Sequence, residues 1–155
     1  MKIVGPERYD LSYTPESFSV SERFSGIAKS SIPKLYIASI DGRPIYVGIT
    51  KQGMQKRLAY GWKAAGRSGY YGYAWRRQGV AAVLDVWGHV DAVDRNVREI
   101  ETVEAEVVYL VRLITGEWPG FQTEIHFYPS TNKHRRIAET IIGHYGLKPP
   151  QISPV

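Results

Sequence analysis

The stretch from Lys34 to Thr50 constrains the fold more than any other. Two runs rich in β-branched and aromatic residues, KLYIASI (34–40) and PIYVGIT (44–50), flank Asp41-Gly42-Arg43. Asp-Gly supplies the positive φ that a tight turn demands, so these residues predict a β-hairpin. Thr50 can then cap a helix reaching about Ala65, with Met54, Leu58 and Trp62 on one stripe. The Gly- and Tyr-rich segment from Gly66 to Gly79 reads as a loop or short helix, and Val80 to Trp87 (VAAVLDVW) as a third strand. Asp91 or Asp94 can open a long helix that ends at Gly116. That helix is apolar nearly all round, through Val97, Ile100, Val103, Val107, Val108, Leu110, Val111 and Ile114, so it is expected to form the buried spine.

The flanks carry weaker signals. Residues 1–32 hold Pro6, Pro15 and many serines, with Pro33 just beyond, and read as an irregular arm with one short helix between Pro15 and Phe24. Thr123 to Tyr128 (TEIHFY) reads as a small extra strand or a packed loop, and Thr131 starts a last helix to about Tyr145. The order β-β-α-β-α-α predicts one α+β domain: a small three-stranded sheet, made of the hairpin and the third strand, flanked by helices. The expected parts are the arm (1–32), the main domain (33–128) and a C-terminal helix and tail on the same domain (129–155). With no cysteine, disulfides, thiolate zinc sites and cysteine nucleophiles are excluded. No apolar run approaches the roughly 20 residues of a membrane span, and the first residues lack the pattern of a signal peptide. A cytoplasmic protein with no membrane partner is expected.

The net charge of +5 is unevenly spread. Gly42 to Leu84 contains no Asp or Glu but carries Arg43, Lys51, Lys56, Arg57, Lys63, Arg67, Arg76 and Arg77. Asp85 to Glu106 reverses the sign, with seven acidic residues against Arg95 and Arg98. A basic face attracts polyanions by releasing their counterions, and nucleic acid is the commonest such partner. Tyr60, Trp62, Tyr70, Tyr71, Tyr73 and Trp75 interleave with the cations, where rings can stack on bases. Lys56, Lys63, Arg67, Arg76 and Arg77 are therefore the candidate nucleic-acid-binding residues.

Leu35-Tyr36-Ile37 on the first strand and Tyr46-Val47-Gly48 on the second resemble the paired motifs of the GIY-YIG nuclease superfamily. Arg57 follows on the first helix, and Glu106-Val107-Val108-Tyr109-Leu110 on the long helix is similar to that family's Glu-x-x-aromatic/aliphatic-Ile/Leu signature. The likeness covers roughly residues 33–124. It implies a metal-dependent endonuclease that hydrolyses phosphodiester bonds in DNA, with RNA left open and a protein partner available for target recognition. By the same resemblance, Glu106 holds one Mg²⁺ or Mn²⁺, hard cations that prefer oxygen ligands. Arg57 clamps the scissile phosphate with its fork of donors. Tyr36 and Tyr46 serve the attacking water, Tyr36 as base and Tyr46 as the orienting group. Many members place a His one turn after the Arg, where this chain has Gly61, and a late Asn, for which Gln122 is the nearest match. The alternative on the same fold is a catalytically weak or inactive module that binds nucleic acid or protein.

The residues alone leave the carboxylate open. On a wheel of about 100° per residue, Glu104 falls inside the arc of Ile100, Val107, Val108 and Val111, whereas Glu106 falls among Val103, Tyr109, Leu110 and Leu113. The family pattern points to Glu106. His89, His126, His134 and His144 show no zinc spacing, and neither a phosphate-binding Gly-Lys-Ser/Thr loop nor a Gly-x-Ser-x-Gly elbow is present.

Overall fold

The hairpin turn is as tight as its residues predict. Asp41 and Gly42 both have positive φ, 52° and 76°, and Ile40 pairs directly with Arg43, the two-residue geometry that Asp-Gly favours. The computed structural model describes residues 1–66, 72–78, 81–93, 97–120 and 128–149. Its strands are β1 (Ile3–Tyr13), β2 (Phe18–Val20), β3 (Lys34–Ile40), β4 (Arg43–Thr50) and β5 (Ala81–His89). Its helices are α1 (Gly26–Lys29), α2 (Met54–Lys63), α3 (Arg98–Thr115) and α4 (Asn132–Gly143), with a 3₁₀ turn at Ala74–Gln78.

The sheet has five antiparallel strands in the order β2-β1-β5-β3-β4, not three. The two extra strands come from the N-terminal residues, which are not an irregular arm. Tyr9, Leu11 and Tyr13 alternate with polar neighbours, and all three are buried, so β1 lies against β5 from Ile3↔His89 to Ser12↔Ala81. Pro6 sits where the register shifts between Val4 and Glu7, a place where a strand tolerates a residue without an N–H. The expected helix between Pro15 and Phe24 is instead the short strand β2. The α+β class stands, and no helix among the described residues is long and apolar enough to cross a membrane.

Helices cover both faces of this sheet. On one face α1 and α2 bury Ala28, Met54, Leu58 and Trp62 against Tyr36, Ala38, Leu84 and Val86. On the other, α3 and α4 bury Ile100, Val103, Val107, Ala138 and Ile141 against Leu35, Ile37, Val47 and Trp87. The long apolar helix is α3, closed by Gly116 at φ 82° as its position after the last turn demands. It starts at Arg98, later than Asp91, because Asp91 is engaged elsewhere: it accepts from the Lys2 amide at 2.6 Å and lies 3.0 Å from His89 Nε2. Likewise α2 starts after Gly53, and Thr50 ends β4 with its hydroxyl accepting from the Gln52 amide. Thr131 caps α4 through a reciprocal box with His134, whose Nε2 lies 3.2 Å from Glu99 on α3. The TEIHFY run, up to 127, lies outside the described residues, as do Asp94, Arg67 and Gln122.

Candidate nucleic-acid interface

The register of the hairpin sets the first two side chains. Tyr36 lies opposite Gly48 and Tyr46 opposite Ala38, so both tyrosines share the α2 face as a diagonal pair with ring centroids 6.0 Å apart. Gly48, the last residue of Tyr46-Val47-Gly48, has a steric reason to be glycine. A Cβ there would lie 2.6 Å from Tyr36 Cζ, 2.7 Å from its hydroxyl and 2.8 Å from Tyr46 Cε1. Arg57, half-buried on α2, stands over Tyr73 with its guanidinium carbon 4.9 Å from the ring centroid, and 5.9 Å from that of Tyr60. Tyr36, Tyr46, Arg57 and Tyr73 thus form one cluster.

Tyr73, one of the rings interleaved with the cations in the sequence, completes this cluster. It is buried, its ring lies 5.3 Å from Tyr46, and its hydroxyl shares a 2.8 Å hydrogen bond with that of Tyr36. A Cβ at Gly61 would run into this ring. The position one turn after Arg57 is therefore filled from outside the helix by Tyr73. The signal was the pairing of a glycine on α2's inner side with a downstream tyrosine, and only contact makes such a pair visible.

The two hairpin tyrosines have different surroundings. Tyr36 is wholly enclosed, and burial pushes its phenol well above the ordinary value of 10.0, reinforced by Tyr73 and only partly opposed by the Arg57 charge and a hydrogen bond from Tyr46. Tyr46 is half-buried and is the ring nearer solvent.

Of the cations, Lys56, Lys63 and Arg77 are exposed, as a polyanion-binding role requires. Lys56, Tyr60 and Lys63 are spaced i, i+4, i+7 and share one stripe of α2, beside Arg57. Arg76 does not belong with them. It is 7% exposed, and Nη1 donates to the Gly61 carbonyl at 2.7 Å and Nη2 to Ala64 at 3.3 Å. These carbonyls lie at the C-terminal end of α2, where a helix leaves acceptors unpaired, so Arg76 is a structural clasp. Arg67 lies outside the described residues.

Glu106 is not brought to this cluster. It accepts a 2.5 Å hydrogen bond from Ser130, lies 4.0 Å from Arg135 on α4, and lines a cleft of about 870 Å³ with Thr102, Tyr109 and Tyr128. That cleft belongs to the α3/α4 side of the sheet, whereas the tyrosines occupy the α2 side. For a divalent cation serving the tyrosine face, Glu106 does not fit. Glu104 lies on the flank of α3 away from Glu106, roughly 160° round the helix, and is buried. Among the described residues, no three His, Asp or Glu side chains gather as a metal site.

Compared with models of known families, with curated proteins and with solved structures, the chain finds no match.

Proposed function

We propose that the chain is a DNA-binding domain acting on phosphodiesters in the manner of the GIY-YIG nucleases. The observation that carries this is the convergence of Tyr36, Tyr46 and Arg57 from three successive elements around a glycine that admits no side chain. Chemistry supports the grouping. Arg57 offers a planar fork to phosphoryl oxygens, and its guanidinium carbon lies 4.9 Å from the centroid of the Tyr73 ring. Tyr46, partly open to solvent and hydrogen-bonded to Tyr36, is the hydroxyl placed to meet a water or a phosphate oxygen. Tyr36 and Tyr73 act behind it as a buried, hydrogen-bonded support. Lys56, Tyr60, Lys63 and Arg77 extend the surface for the flanking backbone. No step is routed through a metal at Glu106, and Glu104 is a buried carboxylate on the same helix.

A second reading, binding without cleavage, is favoured by one observation: Glu106 is committed to Ser130 on the far face. Plasmid nicking with Mg²⁺ or Mn²⁺ separates the two. Hydrolysis predicts nicking that Arg57→Ala and Tyr46→Phe abolish and Glu106→Gln retains. Binding alone predicts no nicking, with DNA affinity that falls steeply with salt and with Lys56→Glu/Lys63→Glu. Absence of both nicking and salt-dependent binding would refute the proposal.

A further inference from the structure

Between β2, α1 and the first turn of α2 lies a cleft of about 640 Å³. Its inner surface is apolar: Phe24 and Met54 are buried, and Phe18 and Val20 half-buried. Its mouth carries the exposed cations Arg23 and Lys29, and no acidic side chain lines it. Gly53 and Gln55 complete the wall at the start of α2, whose first turn holds no acidic residue. The size is within the range of small-ligand sites and exceeds what one base requires. An apolar, partly aromatic interior beneath a cationic rim suits a flat heterocycle joined to a phosphate.

Position adds to chemistry. The cleft is lined at Met54 and Gln55 by the first turn of the same helix that carries Lys56 and Arg57. A helix with its side chains is about 10–12 Å across, a span of roughly three nucleotides of stacked backbone at about 3.4 Å each. A strand with a phosphate at Arg57 can therefore cross α2 at Lys56 and deliver a nearby base to the cleft. Base pairing within a duplex would withhold that base.

We infer that this cleft is a subsite for an unpaired base, so that the substrate class is DNA with a single-stranded extension or gap rather than intact duplex. The inference rests on the nucleic-acid reading above. Charge complementarity selects the occupant, since an apolar ligand would leave Arg23 and Lys29 without purpose at the mouth.

The test is fluorescence anisotropy at fixed salt, with a blunt duplex and the same duplex carrying a short single-stranded overhang. The expected result is about tenfold tighter binding of the overhang DNA, the worth of one stacked base. Arg23→Ala/Lys29→Ala should abolish that preference while leaving blunt-duplex affinity within about twofold. Gln55→Trp, which fills the cleft and keeps both cations, should abolish it as well. Equal binding of the two DNAs, or a preference that survives Gln55→Trp, overturns the subsite and leaves the phosphate-binding face standing. If neither DNA binds, the nucleic-acid reading falls and the subsite falls with it. Circular dichroism of each variant confirms that these exposed positions leave the fold intact.

Discussion

Gly48→Ala tests the construction of the tyrosine cluster, because two physical effects predict opposite signs. In an extended strand, alanine is ordinarily better than glycine by about 0.5–1 kcal/mol, since glycine loses more backbone freedom on folding. At Gly48 the added methyl would meet Tyr36 Cζ at 2.6 Å and Tyr46 Cε1 at 2.8 Å. Carbon atoms pack at about 3.5–4.0 Å, so the rings must retreat by roughly 1 Å. Tyr36 has nowhere to go. It is fully buried, lies against Tyr73, and would stretch the 2.8 Å hydroxyl bond as it moved. Overpacking of this kind costs about 1–3 kcal/mol, and loss of the hydrogen bond about 1 kcal/mol more. The expected net effect is destabilisation by about 1–3 kcal/mol, a fall in Tm of roughly 3–10 °C for a chain of this size. Urea unfolding followed by circular dichroism measures it, with the slope unchanged if only the native state is affected. Gly143→Ala is the matched control: on exposed α4 surface, with nothing within 4 Å of the new methyl, it should stabilise by about 0.5–1 kcal/mol. A Gly48→Ala protein as stable as the parent would refute the packing argument.

Arg76→Ala should cost about 1–3 kcal/mol in the same urea assay by orphaning the Gly61 and Ala64 carbonyls, yet leave the salt dependence of DNA binding unchanged. Asp85→Ala should cost about 1–3 kcal/mol, because the buried carboxylate accepts from Arg8 at 2.9 and 3.1 Å and from Tyr145 at 2.8 Å, tying the end of α4 to β1 and β5, while the half-exposed Arg8 keeps its hydration when the partner is removed. Stability should depend on alkaline pH in two opposed ways. Burial lowers the Lys34 ammonium from 10.5 to about 8, so between those values the unfolded chain binds more protons and stability rises with pH, by about 1–3 kcal/mol; Lys34→Met removes the rise. Above about pH 10 the unfolded tyrosines ionise before Tyr36 and Tyr13, whose phenols burial holds high, and stability falls. Urea midpoints across pH 7–11 measure both limbs, and a monotonic decline in the parent protein would contradict the Lys34 assignment.

Local chemistry made much of the fold legible. Asp41-Gly42 dictates its turn, Gly116 and Thr131 mark helix ends, and period-two alternation places Tyr36 and Ala38 on one face and Leu35 and Ile37 on the other. The same alternation runs through Arg8-Tyr9-Asp10-Leu11-Ser12-Tyr13, but the surrounding prolines and serines concealed β1. Its partner β5 lies some seventy residues away in the chain, and local propensity does not report such a pairing.

The candidate site divides along the same line. Sequence alone determined the Asp41-Gly42 turn of the hairpin and the acid-free, cation-rich stretch that follows it. Regular pairing from Ile40↔Arg43 would set Tyr46 opposite Ile37; the register shift between Ala38 and Ser39, seen only in the folded hairpin, sets it opposite Ala38 and so on the Tyr36 face. Tertiary structure alone decided which cations face solvent, turning Arg76 inward to the end of α2 while Lys56 and Lys63 stay out. It also decided that Tyr73 fills the space at Gly61, and that Glu106 faces Ser130 on the far side of the sheet. The physical reason is range. Turns, caps and cross-strand neighbours are set by residues a few positions apart, whereas the burial of a charge and the face it serves depend on which distant elements pack against it.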